Sequence, residues 1–423
     1  MVSFKNGVLK VTNDGNTART IYEICFAANL LSIFFLYKVK MIVPALSVAL
    51  LACAFLMLYE KRDRKMIVPY NTFWYLAFSI FAALSSLWAT YLSTTIYDQI
   101  IRLFIEVAVI TSVSMYVDTV EHLERLMSIC VFCLLIMTAA EAIKTGPDGW
   151  FTGAFGHHLS GFNSNEFGLW LTCGEMMCFY KFYVKGKKIY LPIFALFIFA
   201  VVLTSSRKDV FACLAAPIAL MVFYSYKKNS WLRIIVLMAS AVLIIYVIMT
   251  NENLYMAVGR RIQSMLNFFS DNQRSSDNSL YRRRFFIDVA KEMFGQSPVV
   301  GKGLRNFGLK LMKEYGQSWA YCHNNYWQIL SELGIVGFFA YYWFYGMCIV
   351  RFVRNYIRTR SRISVLFLVM LIMIMCIEYG VVTYYVKSIQ ITLAMIYTAT
   401  YVGCDDGRQF GYIKENVNEL EEQ

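Results

Sequence analysis

A group of ionisable and amide residues stands at the entrance to a long apolar segment. His323, Asn324 and Asn325 come first, and Glu332 follows about two and a half helical turns later. Polar groups this close to lipid hydrocarbon are costly and usually mark a working site. His323 can exchange a proton near neutral pH, and either Asn can cap the helix that begins there. The stretch therefore predicts a functional site, with a purely structural histidine as the alternative.

A second polar cluster lies in the tight turn 204–209 between two apolar segments, where Arg207 and Lys208 stand side by side. The planar guanidinium of Arg donates two parallel hydrogen bonds and keeps its charge, which suits a diphosphate. The alternative is an interfacial anchor whose long side chain extends toward the lipid headgroups.

A third cluster, formed by Arg282, Arg283 and Arg284, begins a segment with helical periodicity. Its apolar residues fall on one side of a helix and are Phe285, Phe286, Val289, Ala290, Met293 and Phe294. The pattern predicts an amphipathic helix that lies on the outer membrane face, with an arginine cluster at its start for a lipid-linked anion.

Composition indicates the setting of these clusters. Of 423 residues, 58% are hydrophobic and only 16% are charged, whereas about a quarter of a soluble chain is charged. Apolar runs long enough to cross a bilayer as helices recur along the chain. We predict an all-α polytopic membrane protein, one domain over 1–423, with about twelve transmembrane helices: 21–37, 41–59, 71–90, 96–117, 123–143, 165–184, 189–205, 208–226, 231–250, 325–350, 361–382 and 386–402.

Lysine and arginine in the short connections set the expected orientation. With the N-terminus inside, the cytoplasmic segments hold 22 of them and the short outer loops only six. Both termini are therefore predicted to be cytoplasmic, and the net charge of +12 needs no nucleic acid to explain it. The remaining large loop, 251–324, is predicted to be extracytoplasmic.

The predicted outer loop is itself basic, with eleven Lys or Arg against six Asp or Glu. The preference of Lys and Arg for cytoplasmic loops does not explain positive charge on the outer side. The charge therefore favours an anionic ligand. A solvated basic face near lipid headgroups is the alternative.

Several other chemistries are not supported. Cys130 and Cys133 form a CxxC inside an apolar run without a second ligand pair, so no metal is expected. Gly301-Lys302-Gly303 is not embedded in a βαβ pattern, which argues against a nucleotide. We expect no cofactor.

Four motifs in order resemble the O-antigen ligase/polymerase superfamily of bacterial membrane glycosyltransferases, over roughly 150–345. They are Ser205-Ser206-Arg207, Arg283 with Ile287 and Ala290, the turn Ser297-Pro298-Val299-Val300-Gly301-Lys302-Gly303, and His323-Asn324-Asn325-Tyr326 through Gly334-Ile335-Val336-Gly337. Gly161-Phe162-Asn163-Ser164-Asn165-Glu166 is similar to a degenerate Pro-Asn motif. Two positions depart from the family pattern, Lys208 for Gly and Ile287 for Trp.

The resemblance implies metal-independent glycosyl transfer at the outer face of the bacterial cytoplasmic membrane. The donor would be an oligosaccharide on undecaprenyl diphosphate, and the acceptor a sugar hydroxyl. Arg207 and Arg283 would stabilise the departing diphosphate, and His323 would either activate the hydroxyl or hold the diphosphate. Further substrate contacts are expected from Lys208, Arg282, Arg284, Arg305, Asn324 and Glu332.

Three functions remain open at this point. The first is a polymerase that joins lipid-linked repeat units of an O-antigen, capsule or exopolysaccharide, with a flippase and a chain-length regulator as partners. The second is a ligase that uses the same donor and another acceptor. The third is a transporter of small anions, which should show internal repeats that this chain lacks.

Overall fold

The computed structural model describes residues 2–5, 8–11, 16–36, 39, 41–60, 69–152, 155–157, 163–224, 231–260, 262–263 and 278–406. Some of the basic residues that set the predicted orientation lie outside this part, in 61–65, 227–228 and the tail from 407. Residues 264–277 of the predicted outer loop lie outside it as well.

The described chain is nearly all helical, which confirms the predicted class. Strands β1 (Val2–Lys5) and β2 (Val8–Val11) pair as an antiparallel hairpin before the first helix. The helices of the first half are α1 Asn16–Phe35, α2 Ile42–Glu60, α3 Tyr70–Leu84, α4 Thr94–Tyr116, α5 Val120–Thr145, α6 Pro147–Trp150, α7 Ser164–Tyr183 and α8 Tyr190–Leu203. Those of the second half are α9 Arg207–Tyr224, α10 Trp231–Thr250, α11 Glu252–Leu254, α12 Asn278–Gln296, α13 Asn306–Lys313, α14 Asn325–Thr359, α15 Arg362–Glu378 and α16 Lys387–Asp406.

Each of the predicted spans overlaps one of these helices. Within the described part of the chain, four stretches are both long and apolar enough to cross a membrane: Thr17–Phe35, Thr94–Tyr116, Val120–Thr145 and Asn325–Thr359. The full count of about twelve crossings, and the side on which each loop lies, stay predictions.

Helix α7 is the central helix of the bundle. It packs against α5, α8, α9 and α15, and residues 167–181 are buried without interruption. A helix that is buried on all sides is fixed by the helices around it. The polar start of α7, capped by Asn163, is thereby held beside the start of α9.

Helices α12 and α13 form a small core of their own. Phe286, Val289, Ala290 and Met293 of α12 pack with Phe307, Leu311 and Cys322. The predicted amphipathic helix is thus present, but its apolar side covers protein rather than the membrane face that we expected. The reason is that α13 and the 320–322 segment offer a matching apolar surface that the periodicity of α12 alone cannot reveal.

Helix α14 is broken at Gly334, where φ is 65° and ψ is −166°. The turn 297–303 docks at the break through backbone hydrogen bonds, from Ile335 N to Pro298 O at 2.9 Å and from Gly303 N to Glu332 O at 2.8 Å. A Cβ on Gly334 would lie 2.3 Å from Val299 O, so only glycine allows this approach. The glycine-containing turn 297–303 and the glycine-containing segment 334–337 therefore meet in one structural joint.

Candidate functional site

His323 lies at the centre of a cluster of polar and basic residues at the entrance to α14. Its φ of 57° is left-handed, and its ring stacks on Phe286 with centroids 6.0 Å apart. The Tyr321 ring lies 4.2 Å away on the other side. Within the described residues, its buried Nδ1 has no hydrogen-bond partner. The imidazole is therefore firmly positioned with one nitrogen unused.

The ionisation of His323 is set by its surroundings. Burial, followed by the positive charges of Arg283, Lys208 and Arg282, lowers the pKa of His323 to about 3. Each effect disfavours the protonated ring. The imidazole is therefore neutral at physiological pH, in a strongly positive environment.

Lys208 supplies a second unused nitrogen. Its Nζ is buried and, in the part of the chain that the structure describes, lacks a hydrogen-bond partner. It lies against the turn after α15, where a Cβ on Gly380 would be 3.4 Å from Nζ. Its electrostatic neighbours are Asp209, Arg283 and Glu166. The start of α9 thus delivers a buried cation to the cluster around His323.

Asn163 links the start of α7 to the same cluster. Its amide nitrogen donates to Tyr321 Oη at 2.7 Å and to Glu166 Oε1 at 3.1 Å. Its amide oxygen accepts from Glu166 N at 3.0 Å, which caps α7. Burial raises the pKa of the Tyr321 hydroxyl, so this group stays protonated.

The amide residues beside His323 are occupied by the protein itself. Asn324 caps α14 by accepting from Trp327 N at 3.0 Å, and it donates to Tyr379 O at 3.2 Å. Asn325 accepts from Thr383 N at 2.9 Å and donates to Tyr342 Oη at 2.8 Å. Asn324, which we predicted to contact substrate, here ties the start of α14 to the turn after α15.

Glu332 is also engaged by the protein. Its carboxylate is 1% exposed and accepts from Phe307 N at 3.2 Å and from Tyr384 Oη at 3.0 Å. These bonds hold the start of α13 against α14. Glu332 is thus hydrogen-bonded within the protein, and the substrate contact that the sequence predicted for it stays a prediction.

The remaining predicted arginines occupy different positions around the cluster. Arg283 is half-buried, and its positive charge is felt at both His323 and Lys208. Arg282 and Arg284 are exposed. Arg305 stacks over the Trp319 ring at 4.2 Å. Arg207 is half-buried at the first position of α9. The structure thus brings Lys208, Arg282 and Arg283 to His323, while Arg305 lies on the neighbouring α13 side.

Backbone strain is concentrated in the same region. Among the described residues, four other than glycine have a positive φ, and three of them are Ser205, Arg305 and His323. Left-handed conformations cost energy outside glycine and gather at functional sites. The turns that begin α9, α13 and α14 all carry one.

A surface cavity lies at the opposite end of the bundle, where Glu23, Glu124 and Lys181 contribute to its wall. Its charges pair with one another, for example Lys181 with Glu124 at 3.1 Å. The described residues contain no group of three or more His, Cys, Asp or Glu that could hold a metal ion.

The fold and the cluster define a helical membrane protein with a cationic site at one end of its helices. Residues 192–342 match a family model described as O-antigen ligase, and this segment includes Arg207, Arg283 and His323. Over these residues the chain is therefore similar to the O-antigen ligase family, whose members are glycosyltransferase-like enzymes, and the predicted resemblance is confirmed. A comparison with curated protein sequences gave no match.

Sequence reasoning placed Asn163 in a degenerate family motif without giving it a role in the site, and it gave no role to Tyr321 or Gly380. The signal for Asn163 was present, since Asn followed three residues later by Glu is a helix-start pattern. Nothing in the sequence indicated Gly380, because its contact with Lys208 joins two distant turns.

Proposed function

We propose that the chain is a bacterial surface-polysaccharide polymerase for an O-antigen, capsule or exopolysaccharide. It would move a glycan from undecaprenyl diphosphate onto a sugar hydroxyl of the next lipid-linked unit. One observation carries the proposal: two buried nitrogens, Lys208 Nζ and His323 Nδ1, lack partners among the described residues and lie beside Arg283. Diphosphate oxygens are suited to Lys and Arg donors of this kind.

The reaction needs little beyond positioning and positive charge. The acceptor oxygen attacks the anomeric carbon, the bond from that carbon to the phosphate oxygen breaks, and its electron pair leaves with the diphosphate. Preorganised cations stabilise the charge that develops there, while the walls of the cluster align the two sugars. In this scheme Arg283 and Lys208 supply the charge, so no metal ion is required.

The two roles open to His323 are not equally supported. A ring surrounded by Arg282, Arg283 and Lys208 is a weak base, and a general base works best with a pKa near the working pH. A bound diphosphate would raise the pKa of His323 by its negative charge. We therefore assign His323 to the diphosphate rather than to the hydroxyl.

A ligase is the second candidate, because the matched family model is described as O-antigen ligase. It would use the same donor and the same cluster with a different acceptor. In both cases the site would face the outer side of the cytoplasmic membrane, with both termini inside. A flippase that supplies the donor is an expected partner in both cases, and a polymerase would also work with a chain-length regulator.

The test is a product-length assay with purified protein in nanodiscs. Synthetic undecaprenyl-diphosphate repeat units are supplied alone, with His323→Ala as the control variant. A ladder of products that His323→Ala fails to make supports the polymerase. Transfer only after a second acceptor is added supports the ligase, and the absence of transfer to either acceptor argues against both.

A further inference from the structure

Glu166 is half-buried at the edge of the cluster around His323, outside the segment that matches the family. We infer that Glu166 is the general base that takes the proton of the acceptor hydroxyl. This inference rests on the proposed glycosyl transfer.

The position of Glu166 is set by the first turn of α7. Asn163 donates to its Oε1 at 3.1 Å and to Tyr321 Oη at 2.7 Å, and the Tyr321 ring lies 4.2 Å from that of His323. The carboxylate is therefore close to the proposed diphosphate site without contacting the imidazole. A base must lie near the reacting sugar, and a position beside the proposed diphosphate site meets that condition.

The charged and titratable groups that face Glu166 come from four parts of the chain. Lys208 on α9 and Arg102 on α4 are its positive neighbours. Tyr321 and Tyr385 are the ionisable hydroxyl groups that its charge influences. Burial disfavours the ionised carboxylate, which is the form that accepts a proton, and this positive pair opposes the effect of burial.

The other carboxylates near the cluster cannot take this role. Asp209 is 0% exposed and packs so closely on α7 that a Cβ on Gly168 would lie 2.5 Å from Oδ2. Glu378 is 0% exposed and accepts from Tyr342 Oη at 3.0 Å. Glu332 is buried and held by α13. Glu166 is half-buried instead, which makes it the least enclosed of these four residues.

The proposed reaction moves a single proton, from the acceptor hydroxyl to Glu166. As the acceptor oxygen bonds to the anomeric carbon, its hydrogen passes to the Glu166 carboxylate while the bond to the phosphate oxygen breaks. The products are the lengthened glycan, undecaprenyl diphosphate and a neutral Glu166. Release of that proton to water restores the carboxylate for the next turnover.

The test compares Glu166→Gln with Glu314→Gln in the nanodisc transfer assay. Gln keeps the oxygen that accepts from Asn163 but cannot accept the proton, so kcat should fall at least ~100-fold with the donor KM little changed. The acidic limb of the kcat/KM profile against pH should disappear in Glu166→Gln and persist in Glu314→Gln. Glu314 is an exposed carboxylate paired with Lys310 at 2.6 Å, and Glu314→Gln should keep the wild-type rate.

Glu166→Asp separates a chemical role from a structural one. It retains the carboxylate one methylene farther away, so an intermediate kcat with the acidic limb present is expected. Equal losses in the Asp and Gln variants, or a Glu166→Gln enzyme with more than a tenth of the wild-type kcat, would overturn the inference. A wild-type protein that transfers nothing contradicts the proposed function instead, so the two failures are distinguishable.

Discussion

Replacing Gly334 by alanine tests whether the joint between α14 and the 297–303 turn supports the site. The backbone at Gly334, with φ of 65° and ψ of −166°, belongs to a region that is essentially limited to glycine, and another residue there costs about 1–3 kcal/mol. The added Cβ would also lie 2.3 Å from Val299 O and 2.6 Å from Gly301 N. The contacts are with backbone atoms, so the turn itself must move.

Movement of the turn breaks hydrogen bonds that the joint depends on. Those nearest to the substitution join Ile335 N to Pro298 O at 2.9 Å and Val336 N to Val299 O at 3.1 Å, and each contributes about 1 kcal/mol. Together with the strain, the free energy of unfolding should fall by about 3–5 kcal/mol. Transfer activity should fall with it, because Glu332 and the start of α13 are held through the same joint.

The assay is thermal unfolding of the detergent-purified protein, followed by size-exclusion fluorescence. Gly334→Ala should lower the midpoint by about 5 °C or more. Gly346→Ala is the matched control in the same helix, since a Cβ there meets nothing within 4 Å, and it should be neutral or slightly stabilising. A Gly334→Ala midpoint equal to that of Gly346→Ala would refute the argument from close backbone approach.

Three other outcomes are expected from the cluster. Arg283→Ala should reduce kcat/KM by about 100-fold or more, and Arg284→Ala by much less because Arg284 is exposed; equal losses in the transfer assay would contradict the assignment of Arg283. The pKa of His323 is lowered to about 3 from its ordinary value of 6.5, so its contribution to stability is complete above pH 6.5 and declines as the pH falls toward 3. At pH 5 the wild type should therefore have lost about 2 kcal/mol relative to His323→Gln, measured as the change in the difference between their unfolding midpoints; a constant difference would show that the imidazole ionises normally. Because side chains supply the positive charge in the proposed mechanism, activity should survive EDTA, and a requirement for an added divalent metal would count against it.

Local properties of the sequence determined the class of the protein and the identity of its chemical groups. Apolar runs of bilayer length predicted the helices, because hydrophobicity and helical period are encoded in neighbouring residues. The order of Ser205-Ser206-Arg207, Arg283 and His323 was enough for the family, which the match to residues 192–342 confirms.

Only the tertiary structure decided which of these groups work together. Lys208 and Arg283 belong to different helices, and their meeting at His323 depends on how α12 packs against α14 and α9 against α15. The same packing turned Glu332 toward α13 and left Glu166 half-buried. Contacts between distant segments arise from the fit of whole helix surfaces, and no local pattern in the sequence records that fit.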